Sequence, residues 1–216
     1  MNKASHHPPV RRPVWLIPGL LLMLVLGGCA TMNEKECLNA DWRAIGFEDG
    51  VRGAKLSRVG QHREACAEYD VKPDLDAYKS GRAEGLNSYC RPHNGYRVGI
   101  KGASYYDVCP AALEKDFLQG YNAGRKIYLL ESKIRSLSSQ LKKQEKELEE
   151  SKELLTQLEA ELVSDGVNSK RRVQLLGEVR EASKEQGEIE NQIKTLGIDM
   201  ARLQGQVDGL RASNTY

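Results

Sequence analysis

Four cysteines in the middle of the chain are the residues best suited to chemistry: Cys37, Cys66, Cys90 and Cys109. Zinc sites usually use local pairs such as Cys-x-x-Cys together with suitably spaced histidines, and the chain has neither. A haem attachment motif is also absent. Because the number is even and the chain begins with an export signal, described next, we expect two disulfides and no metal or cofactor.

A fifth cysteine, Cys29, follows a segment with the layout of an export signal. Basic residues occur in the first twelve positions, an apolar run covers residues 14–26, and two glycines precede the cysteine. The apolar run is short for a membrane-spanning helix. Residues 1–28 are therefore predicted to be a signal peptide that is removed.

The small residues before Cys29 resemble the lipobox of bacterial lipoproteins, in which the cysteine is acylated and becomes the N-terminus. The alternative is an uncleaved signal that happens to contain a cysteine. Arg11-Arg12 would suit twin-arginine export, but the rest of that motif is missing. In Gram-negative lipoproteins aspartate after the cysteine usually means inner-membrane retention, and here the residue is Ala30. The resemblance implies a lipid anchor on the periplasmic face of the outer membrane, with a linker at residues 29–36.

Composition divides the rest of the chain near residue 127. No cysteine or proline follows Pro110, and no aromatic residue follows Tyr128 except Tyr216. Basic and acidic residues nearly balance, 15 against 14 in residues 30–126 and 14 against 16 in residues 127–216. Neither part has the excess of positive charge that is typical of nucleic-acid binding. We expect a domain at 37–126 and an extended element after it.

The domain at 37–126 contains a tandem repeat of aromatic and glycine residues. The matching motifs are Phe47-x-x-Gly50-x-x-Gly53-Ala54 with Tyr96-x-x-Gly99-x-x-Gly102-Ala103, and Tyr78-x-x-Gly81-x-x-x-Gly85 with Phe117-x-x-Gly120-x-x-x-Gly124. One cysteine precedes the first motif of each half and another lies between its two motifs. Of the three possible connectivities, this symmetry favours Cys37 with Cys66 and Cys90 with Cys109.

Glycines at spacings of three and four lie on one face of a helix. Each costs about 1 kcal/mol relative to alanine inside a helix, so a helical interpretation requires close backbone contact in compensation. The alternative is that these segments are loops. We predict helices at 41–59, 74–89, 94–106 and from 111 onward, begun by Asp41, Asp74, Asn94 and Pro110. The aromatic core would comprise Trp42, Phe47, Tyr78, Tyr96, Phe117 and Tyr121.

Candidate acid–base residues are few in this domain. His62 and His93 lie beside polar sequence, outside any recognisable catalytic or metal motif, and both are expected on the surface. The carboxylates of Glu48-Asp49 and Asp74-x-Asp76 occur where helix starts and exposed faces place them. The sequence therefore predicts no catalytic residues.

These residues together resemble a known family. The pattern comprises Glu36-Cys37, Trp42-x-x-x-Gly46-x-x-x-Gly50, Tyr78-x-x-Gly81-x-x-x-Gly85-Leu86, Tyr89-Cys90-x-Pro92, Gly95-Tyr96 and Phe117-x-x-Gly120-Tyr121-x-x-Gly124. It is similar to the domain-of-unknown-function 2799 family of Gram-negative lipoproteins over residues 34–128. The resemblance implies a small, secreted, cysteine-bridged domain and brings no assigned activity.

From residue 127 the apolar residues follow a heptad pattern. The first seam is Ile127, Leu130, Ile134, Leu137, Leu141, Leu148, Leu155, Leu158 and Leu162, with Gln144 and Ser151 as polar members. The second is Leu175, Val179, Ala182, Ile189, Ile193, Leu196, Met200, Leu203, Val207 and Leu210, with Gln186 as its polar member. We favour an antiparallel hairpin of arms 127–163 and 173–210, with a parallel oligomer as the alternative.

The predicted turn at 164–172 contains three consecutive basic residues, Lys170, Arg171 and Arg172. They would suit an anionic partner, or would simply start the second arm and keep it soluble. Five glycines weaken the second arm, and residues 211–216 are expected to form a disordered tail.

The expected fold class is mainly α: a small disulfide-bridged helical domain built from a tandem repeat, followed by a long antiparallel coiled-coil hairpin. The expected function is that of an outer-membrane lipoprotein with a structural or protein-interaction role through the hairpin. Its partners would be the membrane, another envelope protein or a second copy, and the cell wall. The alternative is an envelope enzyme or ligand-binding protein that acts through the domain at 37–126.

Overall fold

The structure is a computed structural model that describes residues 31–214. Cys29 and the predicted signal peptide lie outside the described residues. Within residues 31–214 there are seven α-helices and no strand, which confirms the mainly-α class. The helices are α1 (Glu34–Leu38), α2 (Trp42–Val51), α3 (Arg58–Cys66), α4 (Leu75–Tyr89), α5 (Pro92–Ile100), α6 (Ala111–Leu162) and α7 (Ser169–Ser213).

The tandem repeat corresponds to two similar helix pairs. Helix α2 packs on α4 in the first repeat, and α5 packs on the beginning of α6 in the second. The helices touch through their backbones: a Cβ atom at Gly81 would lie 1.9 Å from the Arg43 carbonyl oxygen, and one at Gly120 would lie 2.0 Å from that of Pro92. This contact is the compensation that glycine-rich helices require.

Two of the predicted helices end earlier than expected. Helix α2 stops at Val51 and not at residue 59, because Gly53 adopts a left-handed φ of 69° and its N–H bonds back to Gly50. Helix α5 stops at Ile100 and not at residue 106, where Gly102 has a φ of 72°. Both glycines therefore form C-terminal turns and do not lie on the helix faces.

One of the four predicted helix starts differs, and two helices, α1 and α3, were not predicted. Asp41 and Asp74 cap α2 and α4 through side-chain oxygens, as expected. Pro92 begins α5, so Asn94 is not its cap and instead donates a hydrogen bond to the Tyr89 carbonyl oxygen. Helix α3 follows the Gly53 turn, where the sequence suggested only the end of a longer helix.

The core lies in two clusters, the second of which combines the end of α4 from the first repeat with residues of the second repeat. The first contains Met32, Cys37, Trp42, Cys66 and Tyr78, and the second contains Leu86, Tyr89, Cys90, Cys109 and Phe117. Of the predicted core aromatics, Tyr96 and Tyr121 are half-buried. Phe47 is 36% exposed, so its assignment to the core is wrong.

Helix α6 crosses the predicted boundary at residue 127 without interruption and becomes the first arm of the hairpin. Helix α7 packs antiparallel to it, with Arg211 paired to Glu131 at the base and Arg171 paired to Glu161 near the tip. Every residue of the two predicted seams is buried or half-buried. The turn is shorter than predicted because Asn168 caps α7, and α7 continues to Ser213, beyond the expected start of the tail.

Candidate functional site

The two disulfides join Cys37 to Cys66 and Cys90 to Cys109, the pairs that the repeat favours. Each closes a loop within one repeat, with sequence separations of 29 and 19 residues. All four cysteines are buried. Loops of this size contribute about 3 kcal/mol each by restricting the unfolded chain, so each repeat has its own covalent constraint.

The first repeat contains a buried polar cluster around Asp49. This carboxylate is 2% exposed and accepts a hydrogen bond from the Tyr78 hydroxyl at 2.8 Å. Its Oδ2 atom also lies 2.8 Å from Nε2 of His62, which is 5% exposed. The expected exposed positions of Asp49 and His62 are therefore wrong. Burial, together with the hydrogen bond to Asp49, raises the pKa of Tyr78 above its ordinary value.

The cluster holds the beginning of the described chain. Nδ1 of His62 lies 3.0 Å from the Thr31 hydroxyl. When Nε2 carries the ring proton and donates it to Asp49, Nδ1 of the neutral imidazole accepts from Thr31. Met32 is buried beside Cys66 in the same core. The predicted linker at 29–36 is therefore packed against the domain from Thr31 onward.

A cleft of about 400 Å³ opens beside this cluster, with Thr31, His62 and Arg52 in its wall. The order carboxylate, imidazole, hydroxyl is the order used to activate nucleophiles in hydrolases. Here the direct structural consequence of these hydrogen bonds is that the N-terminal segment, which supplies the hydroxyl of Thr31, is held against α3.

The second repeat shows that the helix pair does not need this cluster. Its residues at the positions of Asp49 and Tyr78 are Val98 and Phe117, which are both apolar. Phe117 is completely buried, in the same way as Tyr78. The polar cluster is therefore a special feature of the first repeat, where the N-terminal segment docks.

The other candidate residues have the positions expected from the sequence. His93 and Glu48 are exposed, and Asp74 caps α4. Among residues 31–214, no group of three or more histidine, cysteine or carboxylate side chains is placed to hold a metal ion. Cys29 lies outside the described residues.

The hairpin carries a polar groove on one side of its middle section. Two cavities, of about 520 and 430 Å³, share Gln144 and Gln192 and so form one continuous groove. Four carboxylates line its tip side: Glu147, Glu150, Glu185 and Glu188. Leu154 and Ile189 give that end some apolar surface.

The groove follows from the polar seam residues of the first arm. Ser151 lines it at a position where a heptad would place leucine, and a small side chain leaves space there. The Oε1 atom of Gln144 is buried and has no hydrogen-bond partner within the described chain. Both features weaken the hairpin locally, and Ser151 adds a polar side chain to the groove lining.

The basic residues at the tip have structural partners. Arg171 binds Glu161 through two hydrogen bonds of 2.8 and 2.9 Å and Glu178 through one of 2.8 Å. These pairs raise the pKa of Arg171 and lower that of Glu161. Arg172 donates to the Leu162 and Ser164 carbonyl oxygens. This arrangement favours the interpretation of the basic run as the start of the second arm.

The fold and the sites together define an all-helical, disulfide-bridged repeat domain that extends directly into a coiled-coil hairpin. Residues 41–126 match the family model described as "Protein of unknown function (DUF2799)", which confirms the family resemblance over this domain. No curated protein and no solved structure matches the chain significantly.

Proposed function

We propose that the protein is a lipoprotein of the outer membrane that faces the periplasm and uses its hairpin to bind another protein of the envelope. The observation that carries this proposal is the continuity of α6, which runs from the second repeat into the hairpin without a break. An arm of about 36 residues at ~1.5 Å each reaches about 50 Å from the domain. Such an arm presents a binding surface at a distance from its anchor.

The proposed anchor is supported by the signal-like segment before Cys29 and by the two disulfides, which suit an oxidising compartment. Within residues 31–214 no helix is long and apolar enough to cross a bilayer. Acylation of Cys29 is tested by the mass of the N-terminal peptide of the membrane-bound protein. Cys29→Ser should abolish the acyl mass, and acylation that persists in this variant would refute the site.

The proposed partner surface is the groove of the hairpin. Its four carboxylates are hydrogen-bond acceptors, and three of them form exposed ion pairs with Lys143, Lys146 and Lys184. They suit a partner that brings donors or positive charge in place of those lysines. If a second copy packed in parallel against the groove, its own glutamates would lie opposite these four carboxylates. Repulsion between the like charges disfavours such a dimer. A helix of another protein with lysine or arginine residues fits the groove better.

The two-part organisation is tested by unfolding the arm alone. Leu141→Asp with Leu155→Asp places two charges in the seam and should melt the hairpin while the disulfide-bridged domain stays folded. Far-UV circular dichroism should fall strongly, and proteolysis should stop at a fragment ending near residue 127. Equal loss of both parts would contradict the proposal.

A second candidate function is ligand binding, or chemistry at a hydroxyl, in the cleft beside His62. The aligned Asp49, His62 and Thr31 side chains are the observation in its favour. The test is thermal unfolding in a library of envelope metabolites, with the wild type compared with Thr31→Val. Stabilisation that requires Thr31 would support this function, and no stabilisation by any compound would remove it.

A further inference from the structure

The loop between α2 and α3 combines exposed apolar residues with positive charge. Val51 and Leu56 are 37% and 45% exposed, and Arg52, Lys55 and Arg58 lie between or beside them. No acidic residue occurs from position 50 to position 63. A surface of this kind suits the headgroup region of a membrane, where apolar side chains insert and cations meet phosphate groups.

This loop lies next to the N-terminal segment. Arg52 shares the wall of one cleft with Thr31 and His62, and His62 fastens Thr31 to the domain. Thr31 is two residues after Cys29, and two residues of extended chain span at most about 7 Å. An acyl anchor at Cys29 would therefore bring the first repeat, with its loop, to the membrane surface.

The second repeat provides an internal comparison. Its matching loop, residues 100–107, contains one base and one acid, Lys101 and Asp107. Ile100 and Tyr105, at the positions of Val51 and Leu56, are half-buried, and the Tyr105 hydroxyl donates to Glu114. Tyr106 in the matching loop is 52% exposed, but that loop has no net charge, so the fold does not require the basic character of residues 51–58. This character belongs to the repeat that carries the N-terminal segment.

The basic side chains of the loop make weak contacts within the described chain. Arg52 lies 3.4 Å from Asp49, Lys55 lies over the Tyr106 ring at 4.2 Å, and Arg58 bonds the Gln61 amide. Two carboxylates that line the neighbouring cleft already have roles as helix caps. Glu36 accepts a hydrogen bond from the Asn33 N–H at the start of α1, and Asp41 caps α2. Glu48 remains as an exposed acid there.

We propose that residues 51–58 form a membrane-contact loop that binds anionic phospholipid headgroups through Arg52, Lys55 and Arg58, with Val51 and Leu56 inserted between them. The inference rests on the proposed lipid anchor, which sets the side of the domain that faces the bilayer. The loop adds a second attachment beside the anchor and orients the first repeat on the membrane. The hairpin then leaves from the second repeat.

The test measures vesicle binding without the anchor. The mature chain, residues 29–216 with Cys29→Ser, is sedimented with vesicles of phosphatidylcholine and phosphatidylglycerol at 3:1, or of phosphatidylcholine alone. Replacing Arg52, Lys55 and Arg58 by glutamine should lower the partition coefficient on the anionic vesicles about 100-fold, which corresponds to ~3 kcal/mol for three charges. The binding should also weaken as salt increases.

The matched control removes three exposed charges from the second repeat: Arg97→Gln, Lys101→Gln and Lys115→Gln. It should bind as the wild type does. An equal loss in both variants would show attraction by net charge alone and would overturn the proposal, as would wild-type binding that ignores phosphatidylglycerol.

A second variant keeps all charges and tests insertion. Leu56→Ser should also lower the partition coefficient, and its folding is checked by near-UV circular dichroism; unchanged binding by this folded variant would refute the insertion of Leu56. Acylation of Cys29 is measured independently by mass. If the wild type is acylated but the unacylated chain does not bind vesicles, the proposed role of the loop is wrong and the proposed anchor still stands.

Discussion

The glycines of the two parts of the molecule should respond oppositely to alanine. In the domain, a Cβ atom at Gly81 would lie 1.9 Å from the Arg43 carbonyl oxygen, far inside the normal contact distance. In α7, apart from the neighbouring backbone of the helix itself, a Cβ atom at Gly187 would meet no atom of the described chain within 4 Å. Gly81→Ala and Gly187→Ala are therefore a matched pair that differs only in packing.

The magnitudes follow from two terms. Alanine improves helix propensity by about 1 kcal/mol at either site. At Gly81 the helices must separate, and overpacking against backbone should cost ~3 kcal/mol, the upper part of the usual range. Gly81→Ala should therefore lose about 2 kcal/mol of unfolding free energy, and Gly187→Ala should gain about 1 kcal/mol.

Urea unfolding with two optical signals separates the two parts. Near-UV circular dichroism reports the domain, because the described aromatic residues end at Tyr128. Far-UV circular dichroism is dominated by α6 and α7. If Gly81→Ala left the near-UV midpoint unchanged, the inferred backbone contact between α2 and α4 would be wrong. If Gly187→Ala destabilised the far-UV signal, the outer face of α7 would have to be in contact with another surface.

Three further predictions concern the buried polar groups and the groove. Asp49→Val alone should destabilise the domain by ~2–4 kcal/mol in urea unfolding, since it leaves the Tyr78 hydroxyl and Nε2 of His62 without a partner. Adding Tyr78→Phe, which completes the pattern of the second repeat, should recover part of this loss. If the two substitutions changed the unfolding free energy additively, the inferred contact between Asp49 and Tyr78 would be wrong. Ser151→Leu should fill the groove, add about 1–2 kcal/mol to the unfolding free energy of the hairpin, raise its melting temperature and abolish partner binding; a lower melting temperature would show that the space is not available. Burial raises the pKa of Tyr105 to about 12, whereas the unfolded chain keeps the ordinary value near 10. The contribution of the neutral Tyr105 side chain to the unfolding free energy is therefore full below pH 10 and is lost between pH 10 and 12. Tyr105→Phe should reduce this loss of unfolding free energy at alkaline pH.

Local and periodic patterns were sufficient to predict most of the architecture. The heptad seams from Ile127 to Leu210 fixed the buried faces of both arms, because burial in a coiled coil repeats with the sequence. The repeat also favoured the disulfide pairs, since two copies of one unit place equivalent cysteines alike. Helix ends at Gly53 and Gly102 were missed because glycine serves both helix contacts and left-handed turns.

The Asp49 cluster could not be predicted, because its members come from distant parts of the chain and follow no period. His62 lies in polar sequence, which is why a surface position was expected. One comparison was available: the repeat alignment sets Asp49 against Val98 and Tyr78 against Phe117. A paired change from apolar to polar at two core positions indicates that the two side chains meet.

The most direct test of the proposed function is photo-crosslinking in intact cells from positions along the hairpin. Crosslinkers at Leu154, Leu158 and Arg171 should capture one envelope protein, and the crosslinked segment should be a helix rich in lysine or arginine. Ile198, which is exposed on the outer face of α7, serves as the control position. Crosslinks from Ile198 but not from Leu154 and Leu158, or crosslinks only between copies of this chain, would contradict the proposal that the hairpin groove binds another protein.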